Sequence, residues 1–288
     1  MEYVILNGEF ISRQQASIDV EDRGYQFGDG VYEVIRVYNG KMFTAKEHLE
    51  RLEASAEKIG IKLGWTIQEL DELFAKLIEK NNLETGIIYM QVTRGVSPRN
   101  HAYPPEGTAQ TLVAYTRDMP RPEANFESGV KTILTDDIRW LRCDIKSLNL
   151  LGNIMAKQKA AEAGCYEAIL HRDERVTEGS SSNIAIVKDS SVITHPANNF
   201  ILNGITRQML AQLCEANDIP FIEKEFTLAE LESADEVIVL STISEVTPIV
   251  ELEGKPVADG KPGPVTRQLQ KLFDEEIERQ CGKLAFSR

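Results

Sequence analysis

Two groups offer the most chemistry in this sequence: an amine able to act as nucleophile or base, and a carboxylate able to hold a cation. The amine is Lys146, within Arg142-Cys143-Asp144-Ile145-Lys146-Ser147-Leu148-Asn149, and the acid is Glu178, followed by Gly179-Ser180-Ser181-Ser182-Asn183. Lys146 falls between a predicted strand, Val130 to Leu134, and a predicted helix, Leu150 to Ala163, closed by Gly164. A lysine at such a junction can face a cleft. Beyond it come a strand-like run, Tyr166 to Leu170, a turn at Arg172-Asp173-Glu174, and then Val176 to Asn183 leading into the apolar Ile184 to Val187. One acid, one glycine and three hydroxyls are thereby gathered between two strands. Singly, such residues are ordinary, since lysines at strand ends are usually solvated surface charges.

Before this stretch, Asn7-Gly8 predicts a tight hairpin turn between Tyr3-Val4-Ile5-Leu6 and Phe10-Ile11. A second hairpin turns at Asn39-Gly40 between Val31 to Tyr38 and Lys41 to Thr44, and alternation puts Tyr32, Val34, Arg36 and Tyr38 on one of its faces. Thr44-Ala45-Lys46-Glu47 has the spacing of a capping box, starting a helix with Leu49, Leu52, Ala56 and Ile59 on its apolar side before Gly60. Arg51 lies between two of those positions, where an arginine stem commonly shields a core. A second capping box, Thr66-Ile67-Gln68-Glu69, predicts a helix to about Lys80. Strand-like runs at Ile87 to Thr93 and Thr111 to Thr116 flank a loop, Arg94 to Pro105, that holds Arg99 and His101 and is too rich in Pro and Gly to be regular.

Met119-Pro120-Arg121-Pro122-Glu123 reads as a linker, dividing the chain into domains 1–120 and 121–288. In the second, Asn203-Gly204-Ile205-Thr206 opens a helix to about Asn217, and free N–H groups after a glycine make a ready phosphate site. Strands are predicted at Phe221 to Phe226 and at Glu236 to Leu240, the latter ending at Ser241-Thr242, with a capping box at Thr227 between them. A hairpin and an amphipathic helix, Pro264 to Arg279, complete the domain. Strands outnumber what strict βαβ alternation would give, and no GxGxxG follows a strand, so a doubly wound dinucleotide fold is not favoured.

Composition narrows the function classes. Hydrophobic residues make up 42% and charged residues 27% of 288, as in soluble globular proteins. The net charge of −13, from 32 basic and 45 acidic side chains, speaks against nucleic acid or anionic membrane as partners. No apolar run approaches the roughly 20 residues that span a bilayer, and the N-terminus lacks a signal pattern, so a cytoplasmic location is expected. Cys143, Cys165, Cys214 and Cys281 are scattered without a CxxC pair, which speaks against a metal site or a disulfide framework.

Four pieces, in order, carry a resemblance: Asp22-Arg23-Gly24-Tyr25-Gln26-Phe27-Gly28-Asp29-Gly30-Val31-Tyr32-Glu33, His48-Leu49-Glu50-Arg51-Leu52, Lys146 with Asn149, and Glu178 through Asn183. Together they resemble the class IV, fold-type IV pyridoxal-phosphate aminotransferases, the family that includes branched-chain and D-amino acid aminotransferases. The resemblance implies a mixed α+β fold of two α/β domains with pyridoxal 5'-phosphate in the cleft between them, and a homodimer with sites at the subunit boundary. It implies that Lys146 holds the cofactor covalently and moves the substrate proton, while Glu178 keeps the cofactor's pyridine nitrogen protonated. Arg51, Ile205, Thr206, Ser241 and Thr242 would share the phosphate, with the Ser181 and Ser182 hydroxyls nearby. The loop resembles the carboxylate trap of D-amino acid aminotransferases, in which Arg99 and His101 would join Tyr32. The reaction implied is amino-group exchange between D-amino acids and 2-oxo acids, with D-alanine, D-glutamate, pyruvate and 2-oxoglutarate as usual participants. Arg139 reads as a flanking charge beside Trp140.

Three rivals share parts of this pattern. A branched-chain L-aminotransferase would keep Lys146, Glu178 and Arg51 without the Arg99/His101 pair. An aminodeoxychorismate lyase would use the same lysine to eliminate pyruvate. A non-catalytic cofactor-binding protein would not need every expected chemical position filled, as each is here.

Overall fold

Asn7 and Gly8 adopt φ of 52° and 89°, left-handed conformations that asparagine and glycine tolerate, and fold β1 (Tyr3–Leu6) back on β2 (Glu9–Ser12). The chain then forms a short helix, α1 (Arg23–Phe27), whose N-terminus is capped by Asp22 accepting the Gly24 N–H. Asn39 and Gly40, at 51° and 71°, repeat the turn between β3 (Gly30–Tyr38) and β4 (Lys41–Met42). Helices α2 (Ala45–Lys58) and α3 (Ile67–Asn81) follow, then β5 (Gly86–Thr93) and β6 (Thr111–Asp118). The strands make an antiparallel six-stranded sheet in the order β2-β1-β6-β5-β3-β4. One sheet face packs on the helices through a core that includes Ile5, Val31, Ile35, Leu49, Leu52, Phe74 and Ile88.

This computed structural model describes residues 2–284, which divide into two compact units. The first takes the chain up to Arg121, and adds two later passes, Ile145–Asn149 and Arg279–Leu284. The last pass is tied at the β3–β4 turn, where Asn39 Nδ2 donates to the carbonyls of Cys281, Gly282 and Lys283 at 3.3, 3.2 and 3.0 Å.

The second unit comprises Pro122–Asp144 and Leu150–Glu278. It begins with α4 (Glu123–Ser128) and β7 (Val130–Asp136), then α5 (Leu151–Glu162), β8 (Glu167–Arg172), β9 (Arg175–Gly179), β10 (Asn183–Lys188) and β11 (Ser191–Thr194). The remainder is α6 (Ile205–Ala216), β12 (Phe221–Glu223), α7 (Leu228–Glu232), β13 (Glu236–Ser241), β14 (Glu245–Leu252), β15 (Lys255–Pro256) and α8 (Pro264–Cys281), whose end lies in the first unit. Its nine-stranded sheet runs β12-β11-β10-β13-β14-β7-β8-β9, with β15 on β14. The sheet is mixed: β7 pairs in parallel with β8 and β14, and β11 with β12, whereas the other pairs are antiparallel. The fold is therefore mixed α+β, as the resemblance implies.

Two local expectations are corrected. Thr44 does not build a capping box: it takes φ 54° and its hydroxyl donates to the Phe43 carbonyl, because the connection from β4 to α2 is only two residues long and needs a left-handed turn there. The boxes at Thr66 and Thr227 do form. The strand expected from Phe221 to Phe226 stops at Glu223, since the chain turns away and the Phe226 carbonyl accepts from Val176 N on β9. Among the described residues no helix is long and apolar enough to cross a membrane.

Candidate active site

Lys146 belongs to the first unit, in the segment Ile145–Asn149, although the stretches before and after that segment belong to the second. Ile145–Asn149 lies along β3 as an extra, irregular strand: Ser147 bridges Val31, the Lys146 carbonyl accepts from Tyr32 N at 3.0 Å, and Leu148 N donates to the Gly30 carbonyl at 3.0 Å. From α2, Ser55 Oγ accepts the Lys146 N–H at 3.2 Å. The main chain of the lysine is thus fixed by strand and helix together, and its amine lies 4.2 Å from the centroid of the Tyr32 ring. Tyr32 stacks on Tyr89 at 5.8 Å on the same face of the sheet.

Next to Tyr32 in sequence, and on the opposite face of β3, Glu33 is buried among three donors. It accepts Arg51 Nε at 2.6 Å and Nη2 at 3.0 Å, and His48 Nδ1 at 2.7 Å. Burial alone would raise its pKa, but the charge of Arg51 and these hydrogen bonds hold it well below the usual carboxylate range. Burial acts first on His48 as well and lowers its pKa, so the imidazole is neutral at pH 7 and gives its Nδ1–H to Glu33. Arg51, expected at a phosphate, is oriented by a forked pair to Glu33. A buried ion stripped of its partner costs on the order of 3–5 kcal/mol, so the three side chains act as one rigid group. Glu33 and His48 stand inside the motifs quoted above, yet nothing in their spacing assigns them this contact.

Tyr32, Arg99 and His101 fall into two contact groups. Tyr32 is with Lys146, whereas Arg99 lies over the Phe27 ring at 4.3 Å, and the His101 ring is 5.5 Å from that same ring. Both loop residues are exposed.

In the second unit, Glu178 is the last residue but one of β9, with its side chain 6% exposed. Its carboxylate accepts Arg139 Nη1, Asn183 Nδ2 at 2.9 Å and the Leu202 N–H at 3.0 Å. Burial pushes the carboxyl up to about 7, against the charge and hydrogen bond of Arg139, which pull it down. Arg139 is not the surface charge that its place beside Trp140 suggests. Its side chain is only 6% exposed, and its Nε and Nη2 fork onto Asp137 at 2.8 and 2.9 Å. Burial would raise Asp137, but Arg139 and Arg172 outweigh it and hold the carboxyl at about 2. Asp137 therefore aims the arginine that steadies Glu178. The Asp137-x-Arg139 spacing alone is too common to have revealed this.

Ser181 and Ser182 point their hydroxyls at a second acid. Together with Ser180 they donate to the buried Glu167 on β8, Ser182 at 2.8 Å and Ser181 at 3.3 Å. At the other predicted anion site, α6 starts at Ile205 after Gly204, which has no side chain to cap the free N–H groups. A Cβ on Gly204 would lie 2.1 Å from Asn183 Oδ1, so only glycine lets the helix begin this close to the Glu178 network. Thr206 is buried in the first turn, Ser241 at the end of β13 and Thr242 just after it are partly buried, and α6 packs on β13. Ser241 Oγ accepts from Ser244 N at 2.9 Å, which leaves its hydroxyl proton for another acceptor.

The sequence matches the family model described as amino-transferase class IV over residues 30–252. It is 55% identical over 278 residues to a D-alanine aminotransferase of Staphylococcus aureus (strain MSSA476), covering 96% of this chain and 99% of the relative. Among solved structures, a branched-chain amino acid aminotransferase of Escherichia coli superposes with a TM-score of 0.90 at 26% identity, covering 99% of this chain and 96% of the other. A branched-chain aminotransferase of the thermophilic archaeon Thermoproteus uzoniensis, with norvaline, gives a TM-score of 0.87 at 27% identity, covering 99% and 96%.

Proposed function

Since the chain belongs to the class IV aminotransferase family, we propose that it exchanges the amino group of a D-amino acid, D-alanine foremost, with a 2-oxo acid such as 2-oxoglutarate, using pyridoxal 5'-phosphate. The observation that carries this reading is the station of Lys146, whose amine is fixed beside Tyr32 in a chain 55% identical to a D-alanine aminotransferase. The residues fit the cofactor. Glu178 is a buried acid raised to about 7 by desolvation, so a cation placed against it would favour its ionised form. The uncapped start of α6, with Thr206, Ser241 and Thr242, offers N–H and O–H donors to a phosphate.

When bound, the cofactor supplies an electron sink for the carbanion left on the substrate. Lys146 Nζ would hold the cofactor and would take the proton from the substrate Cα. Glu178 keeps the ring nitrogen protonated, steadied by Arg139 and Asp137. Arg51, held by its fork to Glu33, would supply positive charge for the phosphate. Tyr32, Arg99 and His101 receive the α-carboxylate and thereby decide which enantiomer turns its hydrogen towards Lys146. The rival branched-chain reading shares this fold, but its solved structures are about half as similar in sequence.

The test is the visible spectrum of the purified holoenzyme. D-alanine is expected to discharge the cofactor's absorbance band and 2-oxoglutarate to restore it, with L-alanine and L-leucine inert. Discharge by the L-amino acids instead would overturn the handedness.

The active form we propose is a homodimer. Leu151, Ile154 and Met155 stand on one exposed face of α5, and Ile138, Trp140 and Leu141 are exposed on the preceding segment, an apolar surface of the kind that pairing covers. Light scattering should give twice the 32.3 kDa of the chain, and Leu151→Glu with Ile154→Glu should return it to one copy. A wild-type protein that elutes as a monomer at micromolar concentration would refute the dimer.

A further inference from the structure

We propose that Arg23, oriented by Asp29, is a positioning residue for the loop that carries Arg99 and His101, and that it sets how tightly the substrate carboxylate is held; this rests on the role given to that loop above. No helix or strand forms between Thr93 and Thr111, and both loop side chains are exposed, so packing of the loop itself does not order them. Order comes from underneath. Arg23 is 3% exposed, sits at the start of α1, and gives its Nε to Asp29 Oδ2 at 2.8 Å. Its Nη1 donates to the carbonyl of Asn100 at 2.6 Å and to that of Ala102 at 3.3 Å, the residues on either side of His101. Asn100 Oδ1 also accepts from Ala102 N at 3.0 Å, closing a tight turn around the histidine.

Asp29 serves a second arginine. Arg94 gives Nε and Nη2 to the same carboxylate at 2.8 and 3.0 Å and anchors on the carbonyls of Ile59 and Gly60 at 2.7 and 3.1 Å. Its guanidinium lies 3.7 Å from the centroid of the Tyr103 ring, further along the loop. One carboxylate thus aligns two planar cations, one gripping the loop around His101 and one stacking beyond it. Phe27, at the other end of α1, completes the platform: the Arg23 guanidinium is 4.8 Å from its ring, next to Arg99 and His101. The loop's entry is fixed too, since Gly95 has φ 96° and a Cβ there would fall 1.9 Å from the Ala109 carbonyl. The task demands a guanidinium, whose fork reaches a carboxylate and two carbonyls at once; an ammonium on a lysine stem cannot.

The experiment compares Arg23→Lys with wild-type holoenzyme. Displacement of binding groups by about 1 Å costs up to ~100-fold, so the KM for D-alanine is expected to rise ~10- to 100-fold with kcat changed less than about threefold. The cofactor band and cofactor retention should stay as in wild type, a pattern that general destabilisation would not give. Trypsin should cut after Arg99 about tenfold faster in the variant, because cleavage reports local opening of the loop. Asp29→Asn, which releases both arginines with little change in size, should reproduce both effects and stands in if Arg23→Lys does not fold. Unchanged KM and unchanged cleavage in the folded variants would overturn the proposal. An Arg99→Ala control separates the two layers. If it leaves KM for D-alanine untouched, the loop's carboxylate role fails; if it raises KM while Arg23→Lys does not, the assignment of Arg23 fails.

Discussion

Replacing Lys146 with alanine is expected to reduce transamination at least ~10⁴-fold, the upper range for loss of a positioned general base, while leaving the protein folded. The reason the fold survives lies in the main chain. The bonds that hold the segment to β3 and α2 run through the Lys146 N–H and carbonyl, which alanine retains. What disappears is an amine 4.2 Å from the Tyr32 ring, a contact worth about 0.5–1 kcal/mol where it is partly exposed. Near-wild-type melting of the holoenzyme alongside the lost turnover, with partial rescue by added methylamine, would mark Lys146 as the group that moves the proton. Lys146→Arg should be nearly as inactive, since a guanidinium keeps the charge but does not release its proton near neutral pH. A variant that retained a tenth of the activity would remove Lys146 from the mechanism.

The second largest effect is expected at Glu178. Its Oε2 accepts from Asn183 and Leu202 while Arg139 holds the other oxygen, so in Glu178→Gln the new NH₂ group must face a donor on one side. The variant also cannot ionise against a protonated ring nitrogen. A fall in kcat of ~10²–10³-fold is expected, the scale for removing one preorganised electrostatic contact, and Glu178→Asp should recover part of it. The same residue gives a pH signature in cofactor-free protein. Its folded pKa of about 7 stands above the reference value of 4.5, so between these limits the folded state binds more protons than the unfolded one. Stability from this group is therefore greatest below about pH 4.5 and declines as pH rises to about 7, by about 3 kcal/mol. Melting temperatures of the apoprotein at pH 5.5 to 7.5 should fall more steeply for wild type than for Glu178→Gln. Parallel curves would show that this carboxyl is already ionised at the lower pH.

Hairpins and helix starts were legible because their signals are local. Asn-Gly at 7–8 and 39–40 can be read from two residues, and the boxes at Thr66 and Thr227 from four. Thr44 has the same four-residue pattern but is overruled by the length of the turn before it, a constraint that becomes visible only once β4 is placed. Among the candidate site residues, Lys146 and Glu178 stood out by type and by the motifs around them. Their supports did not: Glu33 with Arg51 and His48, Asp137 with Arg139, and Glu167 with three serines are pairings of side chains that meet only after folding. Ser181 and Ser182 show the limit plainly, since a hydroxyl's direction depends on which acceptor the neighbouring strand supplies. The return of residues 145–149 to the first unit was equally hidden, because no feature of composition distinguishes a segment that crosses back from one that stays.

That return has a consequence for how the protein is made. During synthesis the strands up to Arg121 emerge first and can pair, but the β3 backbone that will seat the lysine waits for Ile145–Asn149, and the carbonyls that meet Asn39 arrive only with residues 281–283, after Leu150–Glu278 of the second unit. The first unit to appear is thus also the last to be finished. The Lys146 amine reaches its station only after its partner strand has already formed, and the closing contact at Asn39 is made only once residues 281–283 have emerged.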